Sequence, residues 1–555
     1  MSQNQLIAKK SLHQLLKEME GDNRLRRVLG PISLTSLGIG AVIGAGIFVA
    51  TGAAAHDVAG PALMVSYMVA GITCVFAALC YAEFASMAPV AGSAYTYAYT
   101  TMGEWCAWMI GWDLVLEYAV GAATVANGWS GYSQSVLAKL GLTLPFIFTG
   151  APYKYDQGYF LPNTVATYKG AEVTQMTVEE GKDKEKRSVI SWVNRETKAK
   201  LANVGDREFE AELKDHQQAL FNLPAVLVAM LVTAFLVKGI SESAGFNSLM
   251  VAIKVAAVLF VILVGVAYVN SSNWTPFAPY GWTGLSFFGI PFGQQQGGDK
   301  PVGMLAGAAI IFFAYIGFDS VSTHAEEAKN PQRDVPIAII ASLLICTVLY
   351  VLVVAVLTGM VSYKDIDVDA GVSKAFASVG LEWAEVIIAV AGVAGITSVL
   401  LVMMLSAPRV FLAMSRDGLI PSAFFADVHP KFRTPWKSTI LVGVFVSFLA
   451  GLLPITALLH LTNIGTLFAF VVVCAAVLIM RRTNPEAQRP FRCPWVPAIP
   501  LLGIGACLML MFSLPAENWL RLFGWLAFGQ LIYFAYGKRN SVLGKELRGE
   551  IARAE

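Results

Sequence analysis

Twelve apolar runs, near 32–55, 61–88, 103–138, 222–238, 244–269, 302–323, 335–361, 383–406, 437–453, 455–480, 497–514 and 517–537, constrain this chain more than any other feature. Each is of the order of the ~20 residues a helix needs to cross the hydrocarbon layer. Inside lipid the backbone must satisfy its own N–H and C=O groups, so continuous runs of this length select helices. The composition agrees: 56% of residues are apolar, 14% are charged and the mean hydropathy is +0.60, outside the range of soluble domains. The expected fold class is an all-α integral membrane protein of about twelve transmembrane helices embedded in the lipid bilayer. With 40 Lys and Arg against 38 Asp and Glu, no basic surface is left over for a nucleic acid.

The distribution of charge then orients the chain. Lys and Arg crowd the N-terminus (Lys9, Lys10, Arg24, Arg26, Arg27), "KNPQRD", "RDGLIPSAFFADVHPKFRTPWK", "RRTNPEAQRPFR" and the tail after Lys538. An even number of spans places all of these on one side, which the positive-inside rule makes cytoplasmic. The start carries charges and no apolar core of signal-peptide length, so no cleaved leader is expected. The organisation reads as a cytoplasmic segment 1–30, spans one to three over 31–140, an insertion at 141–220, spans four to ten over 221–480, a cytoplasmic loop 481–496, spans eleven and twelve over 497–537 and a cytoplasmic tail 538–555. The insertion holds 11 Lys or Arg and 12 Asp or Glu, few large apolar residues and no cysteine. It is expected outside the cell as a small, weakly packed ectodomain or a partly disordered loop. It is either a tolerated insertion or a docking site for a protein partner.

The first span, "SLGIGAVIGAGIFVATG", carries Gly38, Gly40, Gly44, Gly46 and Gly52 where a lipid-embedded helix would favour alanine or leucine. Unwinding in the bilayer strands polar backbone groups at a cost of several kcal/mol unless they line a polar cavity. A break over Val42, Ile43, Gly44, Ala45 and Gly46 would expose amide donors at the start of an outer half-helix, where the dipole also favours an anion such as a carboxylate. The alternative for this span alone is close helix packing through small residues, since Gly40 and Gly44 fit GxxxG. A second interruption favours the cavity. "GAAIIFFAYIGFDSVSTHAEEAKNP" sets Gly317 beside Phe318 and an acid, Asp319, in an otherwise apolar helix. Spans one and six correspond if two five-span halves are inverted relative to each other, and paired broken helices point to a transport site at the midplane. Carbonyls around Phe313, Ala314 and Ile316 would accept from an ammonium. Donors on one break and acceptors on the other describe a receptor for a zwitterion, and an amino acid is the obvious one.

Ionisable residues inside spans are expensive, so each is a candidate. Glu117, one turn after Asp113 in the third span, reads as a proton or substrate group or as a hydrogen-bonded structural acid. Asp319 serves either gating and site electrostatics or capping of the broken helix. Glu83 reads as an acid at the membrane interface. Met403 and Met404 in span eight either shape a side-chain pocket or pack the core. The seven cysteines and six histidines show no metal-ligand spacing, and no catalytic set or nucleotide loop is present. We expect no metal, no cofactor and no enzyme activity.

Together, "IGAGIF", "GWDLVLEYAV", "NSLMVAIKVAAVLF", "FFAYIGFDSVSTHAEEAKNPQRDVP", "SAPRVFLAMSRDGLIP" and "RPFRCPWVP" resemble the amino acid–polyamine–organocation transporters, most closely the bacterial relatives of the cationic amino acid transporters. The resemblance runs over nearly all twelve spans. It implies the inverted, LeuT-like five-plus-five repeat with broken helices one and six plus two C-terminal helices, in the inner membrane. It also implies uptake of L-amino acids, cationic or small neutral, by alternating access, driven by protons or by exchange. The substrate carboxylate would meet the amides around Ala45 and Gly46, and the ammonium the carbonyls of Val42, Phe313, Ala314 and Ile316. Lys254 lies roughly 8 residues, or ~12 Å, into the fifth span, too deep to snorkel comfortably. By resemblance its ammonium would take the place of the sodium ion of related carriers, tying span five to the broken first helix and making the proton the coupling partner; pairing with a nearby acid is the alternative. A transporter-like sensor reading its ligand through 141–220 is the competing class.

Overall fold

The computed structural model describes residues 5–11, 27–88, 92–156, 159–180, 187–195, 197, 199–287, 290–292, 295–296, 300–366, 371–514 and 516–550. Most of the N-terminal segment, with Arg24 and Arg26, lies outside the described residues. The main helices are α1 (Pro31–Val42), α2 (Leu63–Met87), α3 (Ala94–Thr101), α4 (Glu104–Lys139), α5 (Leu223–Lys238), α6 (Ile240–Gly265), α7 (Met304–Ile311), α8 (Pro331–Met360), α9 (Gly371–Ser378), α10 (Glu382–Arg416), α11 (Trp436–Leu452), α12 (Ile455–Thr483), α13 (Ala498–Phe512) and α14 (Ala516–Ile532). Local chemistry sets several starts. Pro31, Pro224 and Pro331 occupy first turns, where a missing N–H costs nothing. The Asn222 side chain caps α5 by accepting the Ala225 amide at 3.2 Å.

Among the described residues, seven helical segments are by themselves long and apolar enough to cross a membrane: Pro31–Met87, Glu104–Lys139, Ser248–Tyr268, Met304–Thr323, Pro331–Met360, Glu382–Arg416 and Ala457–Thr483. The first holds two of the apolar runs, folded back at Gly60 (φ +60°). α5, α11 and α13 are shorter apolar helices. α1 and α2 pack along α8, while α4 packs along α10 and α12. α1 also touches α6 and α10, so the interrupted first helix lies at the junction of these neighbours.

The all-α expectation holds only for the apolar body. Between α4 and α5 the chain forms a five-stranded antiparallel sheet in the order β6-β5-β4-β3-β7, from β3 (Thr164–Tyr168), β4 (Ala171–Glu180), β5 (Arg187–Asn194), β6 (Lys200–Asn203) and β7 (Lys214–Gln218). A hairpin of β1 (Tyr153–Asp156) and β2 (Tyr159–Pro162) precedes it. Ala166, Val173, Trp192, Ala202 and Phe209 form its core. That core is small, which is why composition alone pointed toward weak packing, yet alternation along β4 and β5 and one buried Trp suffice to order it. α4 separates this sheet from the termini. Glu104 at its start receives Gln5 and Ser541, and 36 residues at ~1.5 Å each put Lys139 about 54 Å away.

Glu83, near the end of α2, is buried within the protein. Arg481 reaches it through two nitrogens at 2.9 and 2.7 Å, Arg489 lies at 3.2 Å and the Cys493 amide donates at 2.7 Å. The loop after α12 is thereby pinned to α2.

Candidate substrate site at two interrupted helices

α1 stops at Val42, where Ile43 turns to extended backbone (φ −72°, ψ 106°), and helical structure resumes at Gly46. The second interruption is longer. α7 tightens into a 3₁₀ turn at Phe312–Tyr315, Ile316 is extended (φ −59°, ψ 131°), Gly317 takes φ +119°, and a short helix restarts at Ser320. The two breaks touch. A Cβ on Gly46 would stand 2.3 Å from the Ala314 Cα, and one on Gly317 would stand 2.8 Å from the Ala41 Cβ and 2.9 Å from the Ala41 carbonyl oxygen. A Cβ on Gly44 would meet a Val399 methyl at 2.3 Å. Close packing and an open backbone, the two readings of these glycines, therefore coincide: the residues that permit the break also permit the approach.

The polar groups of the breaks are shared out in an orderly way. Tyr350 of α8 donates to the Val42 carbonyl at 2.7 Å and lies 3.0 Å from that of Ala314, so two of the expected ammonium acceptors converge on one hydroxyl. The Phe313 carbonyl accepts the Ile316 amide at 3.3 Å. Ala45 and Gly46 begin the second half-helix, where helical geometry provides amides no internal acceptor. The Gly46 carbonyl faces Thr51 Oγ1 at 3.3 Å and the Tyr67 hydroxyl at 3.4 Å, themselves 2.7 Å apart.

Lys254 of α6 is fully buried, and its three N–H bonds have three acceptors: the carbonyls of Gly40 and Ile43, both at 2.7 Å, and Ser398 Oγ of α10 at 3.2 Å. Ser398 in turn donates to the Gly40 carbonyl at 3.1 Å. Among the described residues no carboxylate pairs with this lysine. Gly395 makes room for it, since a Cβ there would stand 3.1 Å from the Lys254 Cβ. One ammonium thus joins α6 and α10 to the first break.

On the termini side of the second break lie three buried acids. Asp319 accepts the Tyr118 hydroxyl at 2.6 Å and the Gly317 amide at 3.2 Å, so it ties the second break to α4. Glu117 stands within electrostatic reach of Asp319 and Asp113. Among the described residues Thr466 is the side chain placed to bond Glu117, Asp113 Oδ2 has no hydrogen-bond partner, and no Lys or Arg is paired with any of the three. Acids this deep are costly in hydrocarbon. Phe318 closes the region, with ring centroids 5.1 Å from Phe470 and 6.2 Å from Tyr81. Met403 packs against α4, its sulfur 3.0 Å from where a Gly121 Cβ would be, and Met404 is equally buried.

Sequence reasoning missed Tyr350 and Ser398. A hydroxyl-bearing ring inside "ICTVLYVLVV" was the available signal for the first; a serine in an apolar helix that can bond its own backbone carries almost none.

Paired interrupted helices, buried ionisable groups at the breaks and surrounding apolar helices define a membrane transporter rather than an enzyme. The chain belongs to the amino acid permease family, whose model matches residues 29–523. It is 40% identical to the methylthioribose transporter of Bacillus subtilis over 540 residues, 97% of this chain and 99% of that one. It is 41% identical to the branched-chain amino acid permease BcaP of the same organism, again over 97% and 99% of the two chains. Similarity extends to the vacuolar cationic amino acid transporter 4 of Arabidopsis thaliana, at 33% identity over 87% of this chain and 68% of the relative.

Proposed function

We propose that this permease is a proton-coupled carrier of L-amino acids with a preference for basic side chains, working by alternating access across a plasma membrane that it crosses twelve times with both termini inside. The observation that carries the reading is the Lys254 ammonium, held by the Gly40 and Ile43 carbonyls of the first break. A charged lysine there completes the site, and loss of its proton would remove the positive charge and one of three donors that bind α6 to the broken helix, while Ser398 of α10 keeps its own bond to the Gly40 carbonyl. The α-carboxylate would take the amides at Ala45 and Gly46, and the α-ammonium would compete with Tyr350 for the carbonyls of Val42 and Ala314. Asp113, Glu117 and Asp319 supply negative charge for a basic side chain. An exchanger would use the same site without net proton movement. The 40% identity to a methylthioribose transporter supports a second reading, in which the solute is a neutral thiosugar.

A thermal-shift screen of the purified protein against the twenty amino acids and methylthioribose, followed by labelled uptake into proteoliposomes, separates these. The proposal expects stabilisation by L-amino acids but not by their amides or decarboxylated amines. It expects uptake that ignores sodium, rises as the outside is acidified and collapses with an uncoupler. Lys254→Gln should still exchange substrate but fail to accumulate it; accumulation by that variant under a proton gradient alone would exclude Lys254 as the coupling residue.

A further inference from the structure

We propose that Cys80, Cys474 and Cys493 form a redox-active thiol site, in which a hydroperoxide oxidises Cys493 and Cys80 to a disulfide that fixes α2 to the segment joining α12 and α13. Its effect on transport rests on the alternating-access reading above; the chemistry of the site does not.

Cys80 and Glu83 lie three residues apart on α2 and so share a face. Cys474 and Arg481 lie two turns apart on α12 and share another. Glu83 accepts Arg481 Nη2 at 2.7 Å and the Cys493 amide at 2.7 Å, which sets these faces against each other with Cys493 at their edge. Arg481 also donates to the Cys493 carbonyl at 3.3 Å, so both backbone groups of Cys493 are held. Phe76 is one turn from Cys80, and a Cβ on Gly503 of α13 would stand 2.8 Å from Cys474 Sγ and 3.2 Å from Phe76 Cβ. The three thiols meet there: that of Cys80 interacts with those of Cys474 and Cys493. Cys507 of α13 comes within electrostatic reach of Cys474, and Cys74 within reach of Cys507. Five of the seven cysteines thus line one junction, all with free thiols.

Buried cysteines by themselves pack as small hydrophobes. Cys493 departs from that pattern, since it lies in the loop beyond α12 rather than in a helix, among charged groups. The Arg481 guanidinium stands within electrostatic reach of its sulfur and Arg489 lies 3.2 Å from Glu83, so two positive charges face one carboxylate. The surroundings are therefore positive where an anionic sulfur must form to attack. The end of α2 leads through α3 to the start of α4, beside the termini, so the site lies near that membrane face. Cys493 keeps 4% of its surface exposed whereas Cys80 and Cys474 keep none, so Cys493 is the thiol that a small hydroperoxide meets first. Its thiolate, the proton given to water, attacks one peroxide oxygen; the S–O bond forms, the O–O bond breaks and the leaving oxygen takes up a proton as water or alcohol. The Cys80 sulfur, losing its own proton, then attacks the sulfenic sulfur; the S–S bond forms, the S–O bond breaks and water leaves. Two electrons pass from the two sulfurs to the peroxide. A loop residue can shift to the Cβ separation of about 3.5–4.5 Å that a disulfide needs, a freedom that Cys80 and Cys474 lack in packed helices. α2 packs along α8 beside the broken α1, while α12 packs along α4 and α13. A covalent link across this junction outlasts the Glu83 ion pairs, which part and re-form, and so arrests any step in which the two groups of helices separate.

The test treats the full chain in proteoliposomes with hydrogen peroxide, blocks the remaining thiols with N-ethylmaleimide and maps the digest by mass spectrometry without reductant. The expected product is a peptide cross-linked from Cys80 to Cys493, lighter than its reduced parts by two hydrogens and released by dithiothreitol. Uptake of labelled L-arginine should fall in proportion to the cross-linked fraction and return with dithiothreitol. Cys493→Ser and Cys80→Ser should each abolish the cross-link and keep uptake under peroxide, whereas Cys106→Ser, which removes a thiol outside the junction, should behave as the unaltered chain. Absence of the cross-link overturns the site, as does a bond from Cys80 to Cys474 in its place, and a cross-link that leaves uptake unchanged overturns its effect on transport. The cross-link is read without substrate, so a preparation that forms it but takes up no amino acid before oxidation would sink the carrier reading and leave the thiol site standing.

Discussion

Replacing Gly46 with alanine adds one methyl group at the point where the two interrupted helices meet. That methyl would stand 2.3 Å from the Ala314 Cα, 2.4 Å from its Cβ and 3.0 Å from its amide nitrogen. These neighbours are backbone and the shortest of side chains, so nothing can rotate away. Carbon atoms rest at about 3.5–4.0 Å, so the breaks must move apart by more than about 1 Å. Overpacking of this kind costs about 1–3 kcal/mol in stability, which a membrane protein of this size survives. Binding suffers more. The proposed carboxylate donors lie on one break and the ammonium acceptors Val42 and Ala314 on both, and a 1 Å misplacement of positioned groups costs on the order of a hundredfold. Equilibrium binding of a labelled substrate, measured beside fluorescence-detected size exclusion to confirm folding, tests this. Gly131→Ala is the control, because no atom lies within 4 Å of its added Cβ. Binding by Gly46→Ala within twofold of the control would mean that the apposition of the breaks does not set the site.

Tyr350→Phe removes the hydroxyl that the α-ammonium must displace from the Val42 and Ala314 carbonyls; losing that competing hydrogen bond should tighten substrate binding by roughly tenfold in isothermal titration, with folding intact, and weaker binding would mean that the ammonium does not take these carbonyls. Glu117→Gln should lower the affinity for basic substrates while sparing neutral ones, read as a changed order in a competition-uptake series; an equal loss for both would remove the acid from side-chain recognition. In the sheet unit, the Glu210 carboxylate accepts the Gly205 amide at 2.9 Å and Trp192 Nε1 at 3.1 Å, which hold it below the usual carboxylate range. Its contribution is present above the ordinary value of about 4.3 and is lost as pH falls through the lowered one. Protection factors for amide exchange in β5 and β6, corrected for the intrinsic rate at each pH, should therefore fall in acid, and Glu210→Gln should flatten that dependence.

Much of the site was visible in the chain because lipid penalises each misplaced residue separately. Glycines in "VIGAGIF", Lys254 in an apolar run and Asp319 beside Gly317 all stand out against a hydrophobic background, and the structure places them at two touching breaks. What each group bonds to was not visible. Lys254 and Ile43 are 211 positions apart, and Tyr350 and Val42 are 308 apart. Glu83 was read as interfacial from its place at a span end; its partners, Arg481 in the last turn of α12 and Arg489 in the loop beyond, were not visible, the nearer lying 398 positions away. Met403 kept two readings in the sequence, and its contact with Gly121 depends on how α10 lies along α4.

By itself the sequence determined residence in a membrane, the positions where helices must open and the depth of the buried charges, because the cost of a polar group in hydrocarbon is paid residue by residue and is therefore written locally. Tertiary structure alone decided that Gly46 meets Ala314, that Lys254 is held by carbonyls rather than by an acid, that Arg409 finds Glu327 and that the insertion closes into a five-stranded sheet. Those outcomes depend on the register and crossing of helices and strands far apart in the chain, where many pairings satisfy the same hydrophobic pattern and only the packed arrangement selects one.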